Sequence, residues 1–311
     1  MRGEVEVRYM TKLSKAILCV GAIVASAALV TSVSAQVVTG SLGTTPQSYG
    51  SALALQSINT GFGDSTVGDG TSAGGSELDA AYGQISGGYL YLMLTGNFES
   101  NGNHANVFVA GGAAGQSTLA LPATASMATM NGSQFSPGFQ ATYAFDMNDY
   151  AGTAYVEEYT SLGSSPAGGY VGAAPANSSP GVVASGGSYP AYATVALNDY
   201  NVSTMGSPVG GVFTGPYATT GLELAIPLSA IGYTGGSVEV LADINGGGDS
   251  YLSNQFLPEL PTGYGNLGNG GVFNFSSTPG EYFTVVPEPS SIALVVVGLL
   301  GAIGMIRRRK A

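Results

Sequence analysis

Between Gln36 and Ile306 this 311-residue chain contains no lysine and no arginine. All eight basic residues lie at the ends: Arg2, Arg8, Lys12 and Lys15 at one, Arg307, Arg308, Arg309 and Lys310 at the other. Nothing in the long interior can neutralise a phosphate backbone, which excludes nucleic acid as a partner. Intramolecular salt bridges are excluded on the same ground. Cysteine is almost as scarce. Cys19 is the only one and falls in the leader described below, so the mature protein has no disulfide and no cysteine metal site. Tryptophan is absent, and His104 is the only histidine. One histidine without cysteine is too little for a transition-metal site, and no Gly-x-Ser-x-Gly elbow accompanies it for a nucleophilic serine. The sequence predicts His104 to be an exposed residue in a polar loop. No stretch of the interior has the 3.6-residue periodicity of an amphipathic helix.

What is present is acidic, small and β-prone. Glu4 and Glu6 precede Gln36, which leaves 17 of the 19 acidic residues in the interior. Such a surface suits cations such as Ca²⁺ as companions, and serves equally as a coat that keeps a secreted protein soluble. Glycine is abundant at 49 residues, while charged residues make up only 9%. Apolar and tyrosine content is too high for a disordered chain. The interior is long enough for one large all-β domain or two small ones.

The termini are the most informative parts. Lys12 and Lys15 precede an apolar stretch over residues 16–30, and Val33-Ser34-Ala35 fits the small-x-small cleavage pattern. This predicts a signal peptide over 1–35, with cleavage between Ala35 and Gln36. Met10 is an alternative start, because Glu4 and Glu6 are foreign to such a leader. At the other end stand Pro287, Glu288 and Pro289, then an uncharged segment over 290–306, then Arg307, Arg308, Arg309 and Lys310. The prolines bar helix continuation. The uncharged segment is at the short end of what spans a bilayer, at about 1.5 Å per residue. The basic cluster would stay cytoplasmic and leave the body outside.

This order resembles the PEP-CTERM sorting signal of Gram-negative bacteria, a tail also labelled an ice-binding protein C-terminal domain. The interior shows no Thr-x-Thr ladder of the kind that binds ice. The resemblance implies export across the inner membrane, transient anchoring there, recognition by an exosortase, and cleavage near the motif. It implies a final place at the cell surface or outside the cell. The expected organisation is a signal peptide at 1–35, a secreted body at 36–286 and a sorting signal at 287–311.

Within the body the pattern predicts short strands separated by glycine turns. The best is 89–95, whose Leu90, Leu92 and Leu94 share one apolar face. Further strands are predicted at 77–85, 107–109, 142–146, 153–159, 191–197, 221–227, 237–243 and 281–286. Residues 97–106 read as a polar loop, 148–152 as a turn, 111–138 as mostly loop and 161–190 as a long flexible insertion. Residues 227–232 read as a helical turn closed by Gly232. The fold class expected is an all-β antiparallel β-sandwich, jelly-roll-like, with long Gly/Ser-rich loops, plus the signal and membrane helices. The stretch 223–232 with its following strand, and 77–82 with 88–95, resemble elements of family 9 and DOMON-type carbohydrate-binding sandwiches. That resemblance implies no particular binding residue.

Candidate chemistry is sparse. Asp243, Asn245 and Asp249 stand at positions one, three and seven of a glycine-rich stretch, which echoes a calcium loop. Gly247 and Asn254 depart from the EF-hand pattern at positions five and twelve, and a glycine-rich β-turn explains the residues equally well. Asp64 and Asp69 form a weaker pair of the same kind. Glu157 and Glu158 are adjacent and would point to opposite faces of a strand, so they are no acid–base pair. Tyrosines are expected as sheet residues with a wet hydroxyl end. The function expected is a non-enzymatic structural or adhesive component of an exopolysaccharide layer, with no required cofactor. A carbohydrate-binding module is the second reading and a hydrolase the third.

Overall fold

The computed structural model describes residues 37–43, 49–58, 60–62, 75–198, 218–261 and 264–287. The signal peptide, Asp64, Asp69, Glu288, Pro289, the uncharged segment and the basic cluster lie outside the described residues.

Among the described residues fifteen strands follow one another: β1 (Ala54–Leu55), β2 (Glu77–Ser86), β3 (Tyr89–Asn97), β4 (Asn101–Ala110), β5 (Tyr143–Tyr150), β6 (Thr153–Thr160), β7 (Ala167–Pro175), β8 (Val182–Val183), β9 (Ser185–Gly186), β10 (Thr194–Leu197), β11 (Gly221–Pro227), β12 (Val238–Asn245), β13 (Tyr251–Leu257), β14 (Gly268–Asn269) and β15 (Phe283–Val285). They form two antiparallel sheets. One has the order β1-β2-β3-β11-β10-β8. The other runs β14-β13-β12-β4-β5-β6-β7-β9, and β15 also pairs with β12. The expected antiparallel sandwich is what the chain builds.

Period-two alternation decides which side chains fill the space between the sheets. Leu90, Leu92 and Leu94 of β3 and Leu222, Leu224 and Ile226 of β11 come from one sheet. Val107 and Val109 of β4, Phe145 of β5, Val156 of β6 and Val238 and Val240 of β12 come from the other. The residues between them on the larger sheet point the opposite way and are buried too. Phe108, Ala144, Tyr159 and Leu241 belong to a second core, with Phe135, Phe139, Phe273 and Phe275. Burial on both faces explains why Val107-Phe108-Val109 reads as an unbroken apolar run.

Three predicted loops turn out to be built structure. Residues 101–106 are strand, the first half of β4. The segment over 111–141 forms the lid of the second core. It is tied by backbone bonds between Gln116 and Ala141 and between Leu119 and Ser133, and carries a 3-10 turn at Ser126–Met130. The insertion expected over 161–190 contains β7, which pairs with β6 from Thr153↔Pro175 to Thr160↔Ala167. Residues 227–232 make a turn with no helix, closed by Gly232 at φ 65°.

Candidate functional site

The outer face of the larger sheet changes character along its strands. One row across β12, β4, β5 and β6 is apolar: Leu241, Phe108, Ala144 and Tyr159. Two residues further along, the row reads Asp243, Asn106, Asp146 and Glu157. Two further still it reads Asn245, His104, Asn148 and Tyr155. Strand registry therefore brings together polar side chains from four strands. A turn at Gly247–Asp249 folds back over them and delivers Asp249. Gly248 at φ 65° and Asp249 at φ 51° make that reversal. Both belong to residue types that tolerate the left-handed region.

The cluster is sealed. His104, Asn106, Asp146, Asp243, Asn245 and Asp249 are all buried, none more than 6% exposed. Asn106 donates from Nδ2 to Asp243 Oδ1 at 2.9 Å and to Asp249 Oδ1 at 2.6 Å. Asn245 donates to the same two atoms at 2.9 and 3.4 Å. Met130 caps the pair, its Sδ 3.5 Å from Asn106 Nδ2 and 3.8 Å from Asn245 Nδ2. His104 Nδ1 stands 2.8 Å from Asp146 Oδ1 and 3.5 Å from Asp249 Oδ2. Ser126 donates its hydroxyl to Asp146 Oδ2 at 2.6 Å and its backbone N–H to Glu157 Oε2 at 3.0 Å, pinning the lid to the sheet.

Burial dominates the electrostatics. It pushes the Asp243 carboxyl well above the usual range, with the fields of Asp249 and Asp146 adding to it. It raises Asp249 to about 7, again with help from Asp146 and against the pull of His104, Asn106 and Asn245. On His104, burial opposes the charge, but Asp146, Asp249 and Glu157 outweigh it and raise the group to about 9. The local geometry opposes that protonation. The backbone N–H of Gly248 points at Nε2 from 3.2 Å, so Nε2 must keep its lone pair. A fixed backbone donor decides the matter: His104 is neutral and carries its proton on Nδ1, which donates to Asp146.

The sequence-predicted trio Asp243, Asn245 and Asp249 is thus assembled, though not as a continuous loop. Asp243 and Asn245 are on β12 and only Asp249 is in a turn. Asn254, at the twelfth position of the calcium-loop reading, is engaged elsewhere, accepting from Gln255 Nε2 at 2.9 Å. His104, expected exposed in a loop, is a buried strand residue because Asn101–Asn106 pairs with β5 and β12. Its contact with Asp146 is a hydrogen bond from a neutral imidazole at 2.8 Å. Asn106 and Asp146 escaped the sequence reading. Their signal was alternation: His104, Asn106 and Phe108 share a face, as do Ala144, Asp146 and Asn148. Glu157 and Glu158 do face opposite ways, the first toward Ser126 and the second toward Tyr192 and Ala193.

The other end of the story is the tail. β15 pairs with β12 through Val238↔Val285 and Val240↔Phe283. Pro287 then forms a parallel bridge with Ile85, and the described chain stops there. Residues 285–310 match the family profile of the PEP-CTERM protein-sorting motif. The tail is a PEP-CTERM sorting signal. The match begins at Val285, the last residue of β15, so the PEP-CTERM signal overlaps the described body at residues 285–287. It also makes the protein an exosortase substrate, exported and anchored in the membrane for processing before it reaches the surface or the exterior. No curated protein and no solved structure matches the chain.

Proposed function

We propose that the protein is a non-catalytic structural or adhesive component of an exopolysaccharide layer. The observation that carries this reading is the PEP-CTERM signal, joined directly to a sandwich whose interior stretch holds no lysine or arginine. Such a body cannot grip an anionic polymer by ion pairing. It can meet one through divalent cations, or meet a neutral one through hydroxyls and aromatic rings. Several tyrosines stand exposed, among them Tyr150, Tyr155, Tyr170 and Tyr189. A cleft of about 450 Å³ is lined by Thr142, Thr160, Ser161, Ser164, Tyr192 and Ser229, together with small apolar residues and no carboxylate. That lining favours, as a second reading, a module that binds a neutral glycan.

The test is co-sedimentation of the cell-released protein with the host's own purified exopolysaccharide, with and without Ca²⁺. Saturable retention supports the matrix role. Retention abolished by Tyr192→Ala or Ser164→Ala, without a change in melting temperature, favours the glycan module. No retention in either condition overturns both. Replacing Pro287 and Pro289 by alanine should leave a chain that keeps Arg307–Lys310, checked by mass spectrometry.

A further inference from the structure

The outer face of the larger sheet encloses three acidic side chains with no basic partner but His104. Asp146, Asp243 and Asp249 lie together, buried, around a neutral His104. No lysine or arginine exists between Gln36 and Ile306 to answer them. Isolated buried carboxylates are costly unless paired or bound to a metal. Four oxygens in the cluster also have no hydrogen-bond partner: Asp243 Oδ2, Asp249 Oδ2, Asn106 Oδ1 and Asn245 Oδ1. Buried native polar atoms are nearly always satisfied, so the two free carboxylate oxygens beside each other point to a missing ligand, and the two free amide oxygens show that nothing holds either carboxamide in its present orientation from outside.

Asn106 Nδ2, Asp243 Oδ1, Asn245 Nδ2 and Asp249 Oδ1 close a ring with edges of 2.9, 2.9, 3.4 and 2.6 Å. A half-turn of each carboxamide exchanges N for O without moving any other atom. The ring then presents four oxygens, with the second oxygens of Asp243 and Asp249 beside it. We propose that this cluster is a binding site for one calcium ion, held by Asn106, Asp243, Asn245 and Asp249.

The donor set is all oxygen, which selects a hard cation over zinc. His104 is a positioning residue, its Nδ1–H on Asp146 and its Nε2 on the Gly248 N–H. Magnesium sheds its water reluctantly and avoids all-protein cages, whereas these side chains are sealed from solvent. Calcium–oxygen bonds of about 2.3–2.6 Å need the ring to widen by a few tenths of an ångström. The two carboxamide rotamers give the site a cation-free form, with N–H groups inward, and a cation-bound form on one backbone. The ion would lock the Gly247–Asp249 turn onto β4 and β12, under the cap of Met130.

The full chain, purified in detergent and stripped with a chelator, is titrated with Ca²⁺, Mg²⁺ and Zn²⁺ by calorimetry. One saturable Ca²⁺ per chain is expected, with at least tenfold weaker Mg²⁺ and a melting temperature several degrees higher at saturation. Asp243→Asn and Asp249→Asn should each weaken Ca²⁺ at least tenfold. Should either fail to fold, hydrogen exchange on the unaltered protein locates the site, with protection expected at 126–130 and 247–249. Absence of saturable Ca²⁺ binding overturns the proposal. So does a preference for Zn²⁺, binding untouched by both substitutions, or protection confined to other segments.

Discussion

Glu158 has no cation to pair with, yet it is buried. Its two oxygens accept backbone N–H bonds from Tyr192 at 3.0 Å and Ala193 at 3.2 Å, and the Tyr143 hydroxyl donates at 2.8 Å. Glu223 repeats the arrangement with Thr39 N at 2.6 Å, Gly40 N at 2.9 Å and the Tyr49 hydroxyl at 2.8 Å. Where most proteins answer an enclosed carboxylate with arginine, this one answers with main-chain N–H groups and tyrosine. Each such carboxylate fastens a loop to a strand. Replacing Glu158 by glutamine puts an NH₂ group where an acceptor is needed, and should cost about 1–3 kcal/mol in urea unfolding. A loss under about 0.5 kcal/mol would show the clamp to be idle. None of this was legible in the sequence, where Tyr143 and Tyr49 read only as sheet residues with wet hydroxyls. The partners lie 15 and 174 residues away from the carboxylates they meet. Asp243, Asn245 and Asp249 were legible because they are close in sequence. His104, Asn106 and Asp146 were not, because only strand registry joins them.

Among the elements, β3, β11 and β12 were read from their alternation, and the structure puts their leucines and valines in the core as expected. β7 was missed for a physical reason. Its sequence, Ala-Gly-Gly-Tyr-Val-Gly-Ala-Ala-Pro, looks like a linker. Gly172, however, sits at φ 134°, where a Cβ would fall 2.2 Å from the Ser185 backbone. The glycines let β7 and β9 approach; they do not make the segment loose. The β5–β6 connection is shorter than expected, only Ala151 and Gly152, at φ 51° and 78°. This is the two-residue hairpin that favours Asn-Gly, and alanine is strained in its first position. Ala151→Asn should therefore stabilise the protein by roughly 0.5–1 kcal/mol, read as a rise in melting temperature. A fall would mean that the exposed Ala151 makes a contact beyond the turn.

For the whole molecule, the buried carboxylates set an unusual pH response. Burial raises Glu77 to about 8, with Asp79 adding to it. Burial raises Asp79 to about 6 against the Ala218 hydrogen bond, and raises Glu281 to about 7. All three stand above their unfolded values near 4, so between about pH 4 and pH 8 the folded state binds more protons than the unfolded one. Stability conferred by these groups is present at the acidic end and is lost as pH rises through that window. Urea unfolding in chelator should give a lower free energy at about pH 8 than at about pH 5. The reverse order would mean that these carboxylates are ionised at no cost in the fold.

Main-chain amides carry no net charge, and that alters what dissolved salt can do. Proteins held by lysine–carboxylate pairs lose attraction when ions crowd round them. Here the carboxylate clamps face neutral donors and lose little, and none of the described carboxylates is fully exposed, so there is little surface repulsion for salt to screen. Sodium chloride should therefore leave this fold nearly untouched, with a melting temperature that barely moves as ionic strength rises; a marked fall would reveal attraction between opposite charges.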